Sequence, residues 1–256
     1  MIVGRLTRGT TNPNRLRRVD RWIASRFGRT VGTGTVVDLG YGATPVTTVE
    51  LHRCLPHARV VGLEIDPVRV ADAQPFARPP GLTFARGGFE LAGLRPVLVR
   101  TMNVLRQYDE SEVDSAWALL RKGLAPGGVL VEGTCDELGR VASWVTLSSG
   151  GPLTLTLAGR LSTLDDPAIF AERLPKALIH RNVPGERVHD LFLALDRHWA
   201  RAAPYAAFGA RQRWVHTVAG LRADGWPVLD RPARWRHGEL TLAWAAVQPR
   251  DDHGTS

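Results

Sequence analysis

Cysteine, lysine and long apolar runs are what this 256-residue chain has least of. Its two cysteines, Cys54 and Cys135, stand far apart in sequence, which excludes a disulfide framework and a four-cysteine zinc site. No His-x-x-x-His or Cys-x-x-Cys spacing occurs, so no metal site is expected. The longest aliphatic or aromatic runs, such as Leu242 to Val247, are about six residues, far short of the roughly 20 that cross a bilayer. Met1 to Thr10 carries Arg5 and Arg8 but no apolar stretch of the ~7–15 residues a secretory signal needs. The expectation is a cytoplasmic protein with no membrane span. With 44% hydrophobic and 23% charged residues the chain has enough apolar material for a packed core.

Lysine occurs only at Lys122 and Lys176, so the 33 basic residues and the net charge of +8 are almost wholly arginine. Within residues 1–30, Arg5, Arg8, Arg15, Arg17, Arg18, Arg21, Arg26 and Arg29 face a single acid, Asp20. The planar guanidinium fork suits phosphate and carboxylate, so this segment is open to a polyanionic partner, nucleic acid included. Aromatic residues are not interleaved with these arginines as in single-strand binders.

Asn12-Pro13 predicts a helix start, with Asn12 as cap. Leu16, Val19, Ile23 and Phe27 then recur at helical spacing, and Gly28 is the expected end. Short apolar runs alternate with helical stretches beyond it: Thr35–Leu39, Val60–Leu63, Leu82–Ala85, Pro96–Val99 and Val129–Val131 as strands, Val46–Leu55, Pro67–Ala73 and Glu112–Lys122 as helices. Such alternation predicts an α/β fold with a doubly wound, mostly parallel sheet. Trp144–Leu147 and Leu153–Leu157 read as a hairpin about Ser148–Pro152. Helices are expected over Ala168–Arg173, Gly185–Ala202 and Ala207–Ala223, before a closing strand over Glu239–Val247. The predicted organisation is one domain over 1–256: an Arg-rich helical arm (1–30), a core (31–160), a helical insertion placed as a substrate cap (161–236), a closing strand (237–248) and a flexible tail (249–256).

Chemistry concentrates in Val36-Val37-Asp38-Leu39-Gly40-Tyr41-Gly42-Ala43-Thr44-Pro45. A strand ending in Asp and running into Gly-x-Gly lets backbone approach a ligand at the carboxyl edge of a sheet. The third glycine of a dinucleotide fingerprint falls on Pro45, so that match fails. A second strand, Val60 to Glu64, ends in an acid that can accept both hydroxyls of a ribose.

On these residues the chain resembles the class I S-adenosylmethionine-dependent methyltransferases, with a seven-stranded-type sheet. The likeness runs from about Val36 to Gly133, through Thr83–Glu90 after the third strand, Asn103-Val104-Leu105 after the fourth and Leu124–Val131 entering the fifth. It implies S-adenosylmethionine as cofactor, held by Asp38, Gly40, Tyr41, Gly42, Thr44, Glu64, Ile65, Gly88 and Phe89. Gly40 and Gly42 would pass under the methionine part, Asp38 would orient its amino group, Glu64 would hold the ribose, and Phe89 with its N–H would lie beside adenine. Thr44 departs from the family's third loop glycine, and Gly88 from an acid at the adenine.

The acceptor is less legible. Arg100, Asn103, Glu132 and Asp136 are expected at strand ends facing the cleft, with Asn103, Glu132 and Asp136 as candidate catalytic groups. His180 and His189 are weaker candidate bases, balanced by the plain reading of surface histidines. Gly133-Thr134-Cys135 resembles the cysteine position of RNA 5-methylcytosine methyltransferases, but their companion Pro-Cys is replaced by Val99–Asn103, so Cys135 reads as packing. The expectation is a methyltransferase acting on a small molecule; an RNA or nucleotide methyltransferase gripping through residues 1–30, and a non-catalytic cofactor-binding module, stay open. Nothing in the sequence reads out the oligomeric state.

Overall fold

The computed structural model describes residues 2–7 and 12–250; Arg8 of the arm and residues 251–256 of the expected tail lie outside them. One mixed sheet of eight strands organises the chain, in the order β3-β2-β1-β4-β5-β6-β7-β8. The strands are β1 (Thr35–Leu39), β2 (Arg59–Glu64), β3 (Leu82–Arg86), β4 (Leu98–Met102), β5 (Val129–Cys135), β6 (Val141–Ser148), β7 (Gly151–Gly159) and β8 (Glu239–Ala243). β1 to β5 pair in parallel, and β5 to β8 follow as an antiparallel meander. The seven-stranded expectation is therefore corrected to eight, because β6, β7 and β8 each add to the edge in sequence order.

The helices are α1 (Arg17–Val31), α2 (Val46–Cys54), α3 (Pro67–Ala73), α4 (Glu110–Gly123), α5 (Lys176–Ile179), α6 (Arg187–Arg201), α7 (Ala210–Ala223) and α8 (Pro232–Trp235). α1 starts later than predicted: Pro13–Leu16 form a turn, Leu16 stands at the cap without a side-chain bond, and the helix runs past Gly28 to Val31. Gly28 bonds within the helix, while Gly32, at φ +50°, takes the stop.

Two apolar layers form on the two faces of the sheet. α1 and α2 bury Leu16, Val19, Trp22, Ile23 and Leu51 against Val36, Val60, Leu98 and Val131. On the opposite face α4, α6 and α7 bury Trp117, Leu120, Leu191, Leu195, Trp214 and Val218 against Leu130, Val145, Leu155 and Leu157. The 161–236 insertion thus supplies a wall of the second core. None of its described residues lines the cleft at the glycine loop, where a substrate cap was expected. Among the described residues no helix is long and apolar enough to cross a membrane.

Candidate active site at the carboxyl edge

Strand order reverses between β1 and β4, and the crevice outside their carboxyl ends is where open α/β sheets take ligands. A cavity of ≈ 390 Å³ opens there, lined by Asp38, Gly40, Tyr41 and Gly42 from the first loop, Met102 and Asn103 from the end of β4, and Arg15 and Arg106 from flanking turns. Gly40 adopts φ +72°, and a Cβ there would stand 2.7 Å from Val104 Cγ2, so glycine is required on both counts. Gly42 donates its N–H to Glu64 Oε2 at 3.0 Å. The two sequence pieces 22 residues apart are therefore in direct contact. Glu64 is buried; its Oε1 accepts the Ile65 N–H at 2.9 Å, and Arg69 lies 3.6 Å from Oε2. Thr44 is exposed and outside the cavity lining.

Asp38 lines the cavity, yet its carboxylate is held from behind. Arg100 Nε and Nη2 donate to its two oxygens at 3.0 and 2.7 Å, and Thr48 Oγ1 adds a bond at 2.7 Å. Arg100 is fully buried and also bonds Asp20 of α1 and the Thr47 carbonyl of α2. Burial pushes the Asp20 carboxyl up to about 7, against the pull of Arg100. Arg100 was expected at the cleft; β4 runs on to Met102, so this side chain leaves mid-strand and points to the α1 face. One guanidinium thereby ties α1, α2 and β1 behind the glycine loop. The signal for Asp20 was its place on the apolar stripe Leu16–Val19–Ile23, where a lone acid needs a buried partner.

Glu132 moves similarly. β5 extends to Cys135, so Glu132 lies inside the strand, on the α4 face, and away from the cavity. Its carboxyl is pushed up to about 8 by burial, with only Trp117 pulling the other way. Asp136 caps the β5–β6 turn, where Oδ1 accepts the Arg140 N–H at 2.7 Å and its carbonyl accepts Arg15 Nε at 3.0 Å. Asn103, at φ +62°, does reach the cavity. Its amide clamps Cys135, donating to Sγ at 3.2 Å and accepting the Cys135 N–H at 2.9 Å. Cys135 is the last residue of β5, and burial raises its thiol above the ordinary value. His180 and His189 pair with Lys176 and Asn182 on the far side. Among the described residues no cluster of three metal-ligating side chains occurs.

Residues 2–7, expected as part of an Arg-rich helical arm, are not helical and lie across the other end of the site. The Val3 carbonyl accepts the Phe89 N–H at 2.8 Å, and the Val3 N–H donates to Glu90 at 2.9 Å. A Cβ on Gly88 would come within 2.0 Å of that carbonyl, so the missing acid at this position makes room for chain. Arg5 donates its N–H to Tyr108 Oη at 2.5 Å and pairs with Glu112, while Arg69 bonds Thr7. Between this segment and Gly40, Glu64, Ile65, Gly88 and Phe89 only ≈ 20 Å³ is open. The structure thus gathers these five expected site residues in one place, and covers them.

No family model matches the chain, and no curated protein matches it. Among solved structures it is similar to a magnesium protoporphyrin IX methyltransferase of Synechocystis PCC 6803 with bound SAH (20% identity, 46% of this chain and 53% of that chain, TM-score 0.39). It is also similar to a mitomycin 7-O-methyltransferase (17%, 46% and 35%, 0.39) and to a methyltransferase from Streptomyces caelestis (20%, 57% and 71%, 0.36). The chain spans about half the length of the first of these. All three scores lie below 0.5, so the fold rests on the strand order.

Proposed function

We propose that the chain is an S-adenosylmethionine-dependent methyltransferase acting on a small molecule. The observation that carries this reading is the 3.0 Å contact between the glycine loop and Glu64 at the switch point of a parallel 3-2-1-4-5 sheet. Gly40, Tyr41, Gly42 and Asp38 would hold the methionine end in the cavity. Glu64 would take the ribose, and Ile65, Gly88 and Phe89 would flank the adenine. These residues fit the cofactor at the methionine end; at the ribose and adenine, where Glu64 lines the covered space, they fit only once residues 2–7 give way. When bound, the sulfonium supplies an electrophilic methyl group for direct displacement.

The protein's own contribution is positioning. Among the described cavity residues the one carboxylate, Asp38, is occupied by Arg100 and Thr48, and burial raises Tyr41 out of the range of a base. Arg15 and Arg106 bring positive charge instead. This lining favours an acceptor whose nucleophilic atom is already ionised, such as a carboxylate or phenolate, because no proton then has to be removed.

Titration calorimetry with S-adenosylmethionine and S-adenosylhomocysteine tests the reading. Glu64→Ala is expected to lose roughly 2–4 kcal/mol of cofactor affinity, since charged hydrogen bonds are each worth about 1.5–3 kcal/mol. Unchanged affinity removes Glu64 from the site. If neither ligand binds the wild type or a chain lacking residues 1–7, the cofactor assignment fails.

A further inference from the structure

Beside the first half of α1 lies a second recess on the carboxyl edge, of ≈ 490 Å³, lined by Arg17, Arg18, Arg21, Arg160, Arg234 and His237. Its single acid, Glu239, is taken by Arg234 through a two-point pair at 2.6 and 2.7 Å. Four guanidiniums are left with no carboxylate on them. Among the described residues the Arg17 and Arg21 side chains make no hydrogen bond or ion pair. Arg18 donates Nη1 to the His237 carbonyl at 3.0 Å, while its Nε is buried with no partner. Arg160 donates Nε to Ser162 Oγ at 3.0 Å. Arg18 and Arg160 are thus aimed by neutral acceptors, and the four come from α1 and the segment after β7, with Arg234 and His237 of the α8 region beside them. The fold assembles them; no run of sequence does.

We propose that this recess binds a phosphomonoester or pyrophosphate group of a small molecule. Guanidinium forks match phosphate oxygens two at a time, and several of them converging on a concave site suit a compact, multiply charged end group. A nucleic-acid strand spreads single charges along a line and is held by stacking on aromatics, whereas no phenylalanine, tyrosine or tryptophan lines the recess. The site adjoins the cleft: Arg15 and Leu16 face the cavity, and Arg17 and Arg18 face the recess. It does not depend on the cofactor assignment. His237 offers an internal reporter. Partial burial and the charges of Arg234, Arg211, Arg18 and Arg21 hold its imidazole below the ordinary value; Glu239, paired to Arg234, is the acid of the recess. An anion laid on these guanidiniums therefore raises it.

The test is calorimetry of the full chain with inorganic pyrophosphate at low salt, in parallel with a short uridine oligonucleotide. Saturable one-to-one binding of pyrophosphate is expected. Arg21→Gln combined with Arg160→Gln, both exposed, should weaken it by roughly tenfold or more. Arg26→Gln with Arg29→Gln, an equal loss of charge on the same helix outside the recess, should change it by less than about twofold. Proton NMR should show the His237 imidazole titrating at higher pH with pyrophosphate bound. Absence of pyrophosphate binding, equal weakening by both variant pairs, or binding of the oligonucleotide alone would each overturn the proposal.

Discussion

The two faces of the sheet bury charge in opposite ways. On the α1 face Arg100 is wholly enclosed, yet it has two carboxylates, Asp20 and Asp38, and the Thr47 carbonyl around it. On the α4 face Glu132 is equally enclosed and has no cation. Burial raises the cost of any charge, and the outcome depends on what else is buried with it. The α1 face keeps its arginine charged and uses it as a tie between three elements. The α4 face resolves the same problem with a proton. One arrangement fixes geometry behind the glycine loop, with Asp20 pushed up only to about 7 against the pull of Arg100; the other leaves a carboxyl with no cation to oppose its proton.

Removing the tie should produce the largest effect. Arg100→Met leaves two buried carboxylates without a cation and is expected to cost about 3–5 kcal/mol of stability, read by urea unfolding. Adding Asp20→Asn to that variant should recover part of the loss, because one of the stranded charges is gone. A near-neutral Arg100→Met would show that the two faces do not differ in the way described.

The lone acid gives the next effect, with a sign fixed by linkage. Glu132 is pushed up to about 8 in the fold, above the ordinary 4.5, so the native state keeps a proton that the unfolded chain releases. Its stabilising share is present below about pH 4.5 and is lost as pH rises to about 8, on the order of 5 kcal/mol over the window at about 1.4 kcal/mol per unit. Glu132→Gln cannot release that proton. Its stability curve should fall less steeply than the wild type's over this range, and the variant should be the more stable of the two at pH 8. Parallel curves would sink the assignment.

Cys135 sharpens the comparison with the smallest effect. It lies on the α1 face, uncharged, clamped by Asn103, and its raised thiol is a poor nucleophile. Cys135→Ser should cost only the ~1 kcal/mol typical of point changes and leave the proposed methyl transfer in place. Abolished transfer together with rapid iodoacetamide labelling near neutral pH would place the thiol in the chemistry instead.

All eight strands announce themselves as apolar runs, and the pairing of the glycine loop with Glu64 is legible from strand ends alone. The misread positions have a common cause. Arg100 and Glu132 look like strand ends because a charge inside a buried strand is unfavourable in isolation; their strands continue because the third dimension supplies two carboxylates in one case and a proton in the other. Asn12-Pro13 looks like a cap, but the chain first makes a turn that aims Arg15 at Asp136. Residues 2–7 have no periodicity, and local pattern does not tell an extended segment which distant loop will accept its carbonyls. The insertion was read from its position before the last strand, whereas its apolar stripe, Val188, Leu191, Leu195 and Trp199, already fitted it for a core wall.

The covering of the nucleoside end by residues 2–7 makes affinity a property of two arrangements instead of one. The ≈ 20 Å³ left there cannot hold an adenosyl group together with Val3, so the proposed cofactor would bind only molecules in which the segment has moved aside, with an apparent dissociation constant equal to the intrinsic one divided by their fraction. The holding contacts are a few backbone bonds, the Arg5 N–H to Tyr108, Arg69 on Thr7 and an Arg5–Glu112 pair that is half exposed, the last a type worth about 0–1 kcal/mol. Small changes within residues 2–7 would therefore shift occupancy of a site whose Glu90 contact lies 87 residues away in sequence, without touching any group that contacts the ligand.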